Sequence, residues 1–413
     1  MFKDQTHKIL IIGGGAAGFF AAIACAGQNP EADILILERG KDVLAKVKVS
    51  GGGRCNVTNG CFDPRELVKN YPRGSKALLG PFNRFCTGDT MDWFDKRGVP
   101  LKIEDDGRVF PVSDNSQSII DCLWGEAQKA GVRIFRNQRV VQIYPPEEQN
   151  QRWKVMTGTG VAHFADKVLV AAGSSKSVWE MIEHLGHTLV PPVPSLFTFN
   201  VKDPRITDLP GVSVPQAQVR IQGTKFQAEG PLLITHWGFS GPGILRLSAW
   251  AARELHDLEY QFQILINWAY PLQLQELQDR LPAFKEENAR KPIFKNNPTG
   301  MPQRLWRRLV EQLAIDPEQP WGNLGKKALN QLANELFSAS FSVKGKSAFK
   351  DEFVTAGGIE LKEVDFKTFE SRIHKGLYFA GEVLDIDAIT GGFNFQAAWT
   401  GGWIAGHALA EKE

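Results

Sequence analysis

The stretch ILIIGGGAAGFFAAIACAG, from Ile9 to Gly27, carries no charge and is about long enough to cross a bilayer as one helix. Three adjacent glycines, Gly13 to Gly15, argue against that, because each costs about 1 kcal/mol relative to alanine in a helix interior. A secretory leader is not indicated either, since no basic cluster and cleavage-like site frame the run. The stretch divides instead into a short apolar strand from Lys8 to Ile12, a glycine turn, and a small-residue helix that starts at Ala16 and ends near Gly27. The glycines recur as Gly13-x-Gly15-x-x-Gly18, and the next apolar run, DILILE, ends on Glu38, 20 residues after Gly18. In such a unit the first glycine makes the tight turn, the second lets a pyrophosphate reach the main chain, and the third lets helix and strand pack closely. Free N–H groups and the dipole at the helix start hold the phosphates. Glu38 is placed to accept the ribose hydroxyls of an adenine dinucleotide. A glycine-rich turn of purely structural purpose is the alternative.

Glu38 suits NAD and FAD equally, so the choice rests on other segments. One is GLYFAGEVLDIDAITGGFNFQAAWTGGWIAGHAL, Gly376 to Leu409, where a strand (Leu377 to Ala380) runs into Gly381-Glu382, an acid-rich loop follows, and Gly391-Gly392 precede a helix of small residues. FAD folds return to the cofactor in this way, with a strand-end acid on the ribityl chain and a helix start aimed at the flavin pyrimidine oxygen. The dipole there stabilises the negative charge of the reduced ring. A tightly packed terminal helix after a glycine hairpin is the plainer reading. The other segment is KVSGGGRCNVTN, Lys48 to Asn59. Its glycines add nothing to a core, and each costs roughly 0.5–1 kcal/mol of ordering entropy relative to alanine. Something must come close to that backbone.

KVSGGGRCNVTN, THWGFSGPGIL (Thr235 to Leu245), VTAGGI (Val354 to Ile359) and YFAGEVLDIDAITGGFNFQAAW (Tyr378 to Trp399), in this order over nearly the whole chain, resemble the signatures of the HI0933-like flavoproteins, the YhiN or BaiN type. The resemblance implies an α/β fold with added β structure. A Rossmann-like, glutathione-reductase-type FAD-binding domain would be interrupted by an inserted small β-barrel and a helical subdomain. Activities attributed to the family are reduction of conjugated C=C bonds in oxo-steroids, dihydrouridine formation in large-subunit ribosomal RNA, and oxidation of aminoacetone. Ser50 to Asn56 then becomes the loop along the pyrophosphate, ribityl chain and flavin ring, with Arg54 a fixed cation and Asn56 a neutral donor or acceptor. The cofactor contacts expected on this basis are Gly13, Gly15, Ala16, Ala17, Gly18, Glu38, Arg39, Lys46, Ser50, Gly51, Gly52, Gly53, Arg54, Cys55, Asn56, Val140, Ala171, Ala172, Gly173, Gly381, Glu382, Asp385, Gly391, Gly392, Phe393 and Asn394. Cys55 and His236 are the candidate catalytic residues. Redox thiols in flavoenzymes come paired at CxxC or CxxxxC, and Cys61 lies six residues from Cys55. A packing or substrate-proximal role for Cys55 is therefore favoured over a dithiol relay, and an ordinary polar contact at the insert boundary stands beside the donor role for His236.

Organisation along the remainder fits this architecture. Ser116 to Ala130 reads as a helix stopped by Gly131, and VRIFRNQRVVQIYP, RWKVMTGTG and GVAHFADKVLVAAG read as three or four strands, the last ending at Gly173. Val140 is the expected main-chain contact to adenine. SSKSVWEMIEHLGH departs from the glycine-rich stretch of longer members, so Ser174 to Ser177 are assigned no cofactor role. Pro191, Pro192 and Pro194 mark an exit from the first domain. The expected division is an FAD-binding domain at residues 1–194 and 341–413, a barrel at 195–269 and a helical part at 270–340, with re-entry near Ala348 to Ile359. Five cysteines without a CxxC pair argue for free thiols in a reducing, cytoplasmic compartment. No metal-ligand spacing and no membrane segment is recognised.

The expected function is FAD-dependent reduction of an activated C=C conjugated to a carbonyl, by hydride transfer from flavin N5. No second GxGxxG unit occurs between Gly173 and Phe353, so NAD(P)H, the expected electron donor, must dock directly in the substrate cleft. An RNA-modifying flavoenzyme that forms dihydrouridine in ribosomal RNA is the alternative, and an amine oxidase of aminoacetone type a second. For the RNA reading, Lys285 to Arg308 carries seven cations against two carboxylates, with Trp306 and Phe294 as a stacking surface. A solvated helical face is the plainer account of that run.

Overall fold

A computed structural model describes residues 7–147, 152–347 and 354–412. The chain divides into two compact units, residues 1–193 with 350–413, and residues 194–349.

The first unit is built on five parallel strands, β1 (Lys8–Ile12), β2 (Asp33–Leu37), β3 (Arg133–Phe135), β4 (Lys167–Val170) and β5 (Leu377–Phe379), in the spatial order β5-β4-β1-β2-β3. Ile9 to Ile12, Ile34 to Leu37 and all of β4 are buried, as a parallel sheet covered on both faces requires. Two short antiparallel strands, Glu370–Ser371 and Val364–Asp365, extend the β5 edge. Helix α1 (Ala16–Gln28) leaves the carboxyl end of β1 and packs against α2 (Phe393–Ala410). A Cβ on Gly402 would lie 2.6 Å from Ala17 O, and one on Gly406 2.5 Å from Ala21 O. Glycine is thus what lets the two helices approach. The stretch from Val132 to Gly173 splits between sheets: β3 and β4 join the main sheet, whereas Val140–Tyr144, Trp153–Thr157 and Ala162–Ala165 form an antiparallel sheet of their own. The prolines read as a domain exit lie in the strand Leu189–Ser195, which among the described residues pairs on one side, with Val354–Ile359, and so tolerates missing N–H donors.

The second unit contains a closed barrel of six strands in the order Thr198–Val201, Gly238–Ser240, Gln227–Ile234, Ser213–Ile221, Gln261–Asn267 and Ala339–Ser347. Helices Leu274–Glu287, Gln303–Gln312 and Lys326–Ser338 are inserted between the last two strands. They share one apolar core with the barrel, in which Leu277, Trp306, Leu332 and Leu336 join Phe239, Ile264 and Phe341. Two expectations are corrected here. A boundary at 340/341 would cut Ala339–Ser347, which pairs with Gln261–Asn267 and Thr198–Val201 and closes the barrel. Among the described residues the helical part also has no core separate from that of the barrel. Of the expected re-entry, residues 348–353 lie outside the described residues.

Trp306 cannot be part of an RNA-stacking surface, because it is fully buried, donates its Nε1–H to Ile293 O (2.9 Å) and stacks on Trp321. Its charged neighbours are engaged too: Arg307 and Arg308 pair with Glu311, and Arg304 donates to Asp208 O at 2.6 Å. No helix among the described residues is long and apolar enough to cross a membrane.

Candidate functional site

The three glycines of the Gly13-x-Gly15-x-x-Gly18 turn meet two different physical needs. Gly13 (φ +112) donates to Leu37 O at 2.9 Å, and a Cβ there would fall 2.4 Å from Ala171 O. A Cβ on Gly18 would lie 2.1 Å from Gly13 O. Gly15 has ordinary extended backbone (φ −91, ψ −170), and a Cβ on it would meet nothing within 4 Å. Two glycines therefore serve packing, and the third bares main chain toward open space. Helix α1 has no side-chain cap and no acid in its first turn. Its first hydrogen bond runs from Phe19 N–H to Gly15 O (3.0 Å), which leaves the N–H groups of Ala16, Ala17 and Gly18 without helical acceptors.

Glu38, at the end of β2, accepts from Gly14 N–H (2.8 Å) and Gly40 N–H (2.7 Å), so its carboxylate is fixed beside the turn. It lines a pocket together with Gly13, Arg39, Val140 and Ala172. Gln138, Arg139, Ser175, Ser177 and Val178 line the same pocket and escaped the sequence reading. The strand order explains why: β3 lies beside β2, and β4 on the other side of β1, so the segments that follow β3 and β4 converge on Glu38. No local motif announces that.

The second bare segment starts as helix Ala45–Gly53 and breaks at Ser50 (φ −63, ψ 149); Gly51 and Gly52 are left-handed. Gly51 and Gly52 are exposed, and a Cβ on Gly52 or Gly53 would meet nothing within 4 Å. Asn56 joins this segment to the start of α2. With its side-chain amide assigned the orientation that its neighbours' donors and acceptors require, Asn56 accepts from Gly392 N–H (2.9 Å) and donates to Thr58 O (2.9 Å) and Val109 O (3.3 Å). Gly392 (φ +91) must be glycine, since a Cβ would lie 2.2 Å from Thr58 O. Asn394 braces the preceding loop by accepting from Ala388 N–H (2.9 Å) and donating to Ala388 O (3.1 Å). Tyr71 donates its hydroxyl to Phe393 O at 2.6 Å, and a buried ion pair joins Arg73 to Asp387. Helix α2, like α1, begins without a side-chain cap. Glu382, beside Gly381 (φ +76), pairs with Lys46 and accepts from Thr355 N–H (3.1 Å). Asp385 is half-buried and donates its main-chain N–H to Ile359 O (3.1 Å).

The reactive candidates are placed differently. Cys55 (φ +63) is wholly buried, and burial pushes its thiol up to about 12, partly offset by Ser50, so the sulfur is protonated at neutral pH. Arg54 lies face-on to Phe110 (3.8 Å) and donates to Glu104 (2.6 Å) and Asp114 (3.3 Å), so its charge is already met. His236 belongs to the second unit, in the exposed turn between Gln227–Ile234 and Gly238–Ser240. Among the described residues no group of three or more His, Cys, Asp or Glu is placed to hold a metal ion.

The sequence profile of the HI0933-like protein Rossmann domain matches residues 7–408. The chain belongs to the HI0933-like family. This HI0933-like protein is 29% identical to the 3-dehydro-bile acid delta(4,6)-reductase of Clostridium scindens, covering 98% of this chain and 100% of the relative. It is also 29% identical to the ribosomal RNA dihydrouridine synthase of Escherichia coli, covering 98% of each. Among solved structures it resembles a 3-ketosteroid-delta4-(5alpha)-dehydrogenase from Rhodococcus jostii (TM-score 0.52, 14% identity, 100% of this chain and 99% of that one). A flavocytochrome c3 fumarate reductase is similar (TM-score 0.51, 16% identity, 99% of this chain and 79% of that one). At such identities the solved structures speak to the fold alone. The fold of the HI0933-like protein is the Rossmann-type FAD-binding fold, and the chain is an FAD-dependent oxidoreductase. The residues present fit that cofactor: bare main chain at Gly15, Gly52 and Gly53 faces open space, and two uncapped helix starts supply unused N–H donors.

Proposed function

We propose that this protein reduces a C=C bond conjugated to a carbonyl in a small molecule, with FAD as its resident cofactor and NAD(P)H as electron donor. The supporting observation is the hydrogen bond between Asn56 and Gly392, which ties the glycine segment Gly51–Gly53 to the start of α2 within the unit that carries the Gly13–Gly18 turn. In this reading Gly15, Ala16, Ala17 and Gly18 hold the pyrophosphate, Glu38 the adenosine ribose, Val140 the adenine, and Glu382 with Lys46 the ribityl chain. When bound, FAD supplies hydride chemistry. The chain's own residues orient and tune it. Free N–H groups at Phe393 and Asn394 favour negative charge at the adjoining ring edge, Gly51 to Gly53 keep side chains out of the way, and the protonated Cys55 thiol packs beneath as a neutral group.

The two named relatives support one reaction class. A 3-dehydro bile acid with Δ4,6 unsaturation has its double bonds conjugated to the 3-oxo group, and uracil has its C5=C6 bond conjugated to the C4 carbonyl. Both reductions add hydride and a proton across an electron-poor C=C. The resemblance to the E. coli synthase favours, as second reading, a uridine of ribosomal RNA as substrate. Two measurements test the proposal: the visible spectrum and mass of the cofactor released on denaturation, then anaerobic reduction by NADH or NADPH followed by reoxidation with a cyclic enone or with ribosomal RNA. Reoxidation by RNA alone selects the second reading. A protein without flavin, or one whose reduced form neither acceptor reoxidises, overturns both.

A further inference from the structure

One mouth of the barrel carries a cation that the fold has gone out of its way to turn inward. Along Ala339–Ser347 the side chains of Ala339, Phe341 and Val343 face the core and those of Ser340, Ser342 and Lys344 face solvent. Strict alternation would continue inward at Gly345. Instead Phe199 opposes Lys346 while Val201 opposes Val343, so one extra residue is accommodated on this strand. Gly345 (φ +102) sits in that bulge and donates to Tyr260 O at 2.8 Å. Directly opposed residues share a face, so Lys346 falls on the inward side with Phe199, which is fully buried. Bulges at barrel rims re-aim side chains in this way.

Two aromatic rings lie beside the half-buried Lys346. Its Nζ lies over the Tyr260 ring (4.9 Å from the centroid) and near Phe197 (5.9 Å). No carboxylate pairs with it among the described residues. The nearest acids in sequence to Tyr260 are Asp257, which faces His256 at 3.5 Å, and Glu259, and both are exposed. Burial alone lowers the Lys346 pKa, and no acid contributes. The Tyr260 hydroxyl adds a second anomaly, being shielded from solvent and lacking a hydrogen-bond partner among the described residues. A half-buried ammonium and an orphaned phenol at one rim are two donors that lack an acceptor.

We propose that this mouth of the barrel binds a carboxylate carried on an apolar body, with Lys346 as the cation that receives it and Tyr260 as the second donor. The site is formed within the second unit and does not rest on the flavin reading. Titration calorimetry of the flavin-loaded full chain with 1-naphthoate, using 1-naphthalenemethanol as the uncharged counterpart, tests it. Wild type should bind the carboxylate at one site and about tenfold or more tighter than the alcohol, as a charge-assisted hydrogen bond requires. Lys346→Met should abolish that preference, Tyr260→Phe should reduce it, and Lys344→Met, on the outward face, should leave it unchanged. In wild type, 1-naphthoate should also protect Lys346 from acetic anhydride, read by peptide mass, a test that needs no variant to fold. Equal affinity in wild type and Lys346→Met, absence of 1-naphthoate binding to wild type, or unprotected Lys346 overturns the proposal. Flavin content, read in the same samples, bears on the reductase reading alone.

Discussion

Gly15→Val and Gly18→Ala, three residues apart, should fail in opposite ways. At Gly15 the backbone is already extended (φ −91), and a Cβ meets nothing within 4 Å. The fold itself loses only an N-cap preference, about 1 kcal/mol. The isopropyl group instead fills the space into which bare main chain opens, where the pyrophosphate is proposed to lie. Losing two charge-assisted hydrogen bonds at about 1.5–3 kcal/mol each weakens FAD binding by about 3–6 kcal/mol, or roughly 10²- to 10⁴-fold in Kd. At Gly18 the added Cβ would lie 2.1 Å from Gly13 O, more than 1 Å short of ordinary contact, and the obstacle is backbone that cannot rotate away. Overpacking of that kind costs about 1–3 kcal/mol, and it separates α1 from β1. The assay has two readings: flavin absorbance of the purified protein, and the melting temperature of the flavin-stripped protein. Gly15→Val should be colourless yet melt within a few degrees of stripped wild type, whereas stripped Gly18→Ala should melt lower. A yellow Gly15→Val protein refutes the placement of the pyrophosphate, and a stripped Gly15→Val protein that melts as low as Gly18→Ala refutes the division of roles among the glycines.

Three further outcomes follow from the first unit. His187 is buried with Nδ1 2.9 Å from Glu363 and Nε2 2.9 Å from Ser371 Oγ; burial lowers its pKa, and Glu363 only partly opposes this. The unfolded chain takes up the proton near the ordinary value of about 6.5 and the folded chain only below it. Stability should therefore fall as pH drops through the ordinary histidine range and level off beneath the folded value, and His187→Asn should flatten that limb in urea titrations across it. An unchanged slope removes His187 as the cause. Arg73→Ala removes the cation paired with the fully buried Asp387 carboxylate and should cost about 3–5 kcal/mol by chemical denaturation, with Asp387→Leu added in the same chain restoring part of it. A loss below about 1 kcal/mol would mean that water reaches Asp387. Cys55, wholly buried with its thiol near 12, should resist iodoacetamide while the half-buried Cys61 and Cys86 react, as peptide mass would show, and Cys55→Ser should keep its flavin. Early alkylation of Cys55 would place it at an open surface.

The β1–turn–α1–β2 unit was legible because its determinants are local: an apolar run, glycines at fixed spacing, and an acid at the end of the next strand. What the sequence withheld depends on strand order. Ser175 and Ser177 reach the Glu38 pocket only because β4 lies beside β1, and Gln138 and Arg139 only because β3 lies beside β2. The partnership of Lys46 with Glu382 spans 336 residues and has no local signature. Barrel closure by Ala339–Ser347 was hidden for the same reason, since its pairing partners begin at Thr198 and Gln261. Trp306 is a different case. Leu305, Trp306, Leu309 and Val310 form one buried face of Gln303–Gln312, and their spacing of one and four residues was available to show that the tryptophan points inward despite the arginines around it.

The two parts of the proposed cofactor cradle differ in how they are held, and the difference has a physical reason. Main chain at Gly15, Gly52 and Gly53 must stay free, because any satisfied donor or added atom there would compete with a ligand. Everything behind the start of α2 is, by contrast, tied. Thr58 and Thr90 donate to Gln396 Oε1 at 2.6 and 3.0 Å, Gln396 donates to Thr400 Oγ1 at 3.1 Å, and Thr400 donates to Phe85 O at 2.9 Å. Trp399 Nε1 donates to Val57 O at 2.9 Å. These groups are buried, so each unmade bond would cost about 1–3 kcal/mol, and the helix start can shift little without breaking several at once. A dipole tunes a bound charge only if it stays aimed while the charge changes. The buried chain of hydrogen bonds fixes that aim from residues 57 and 58, next to the glycine segment, so one stretch of sequence both clears the space and orients the helix that faces it.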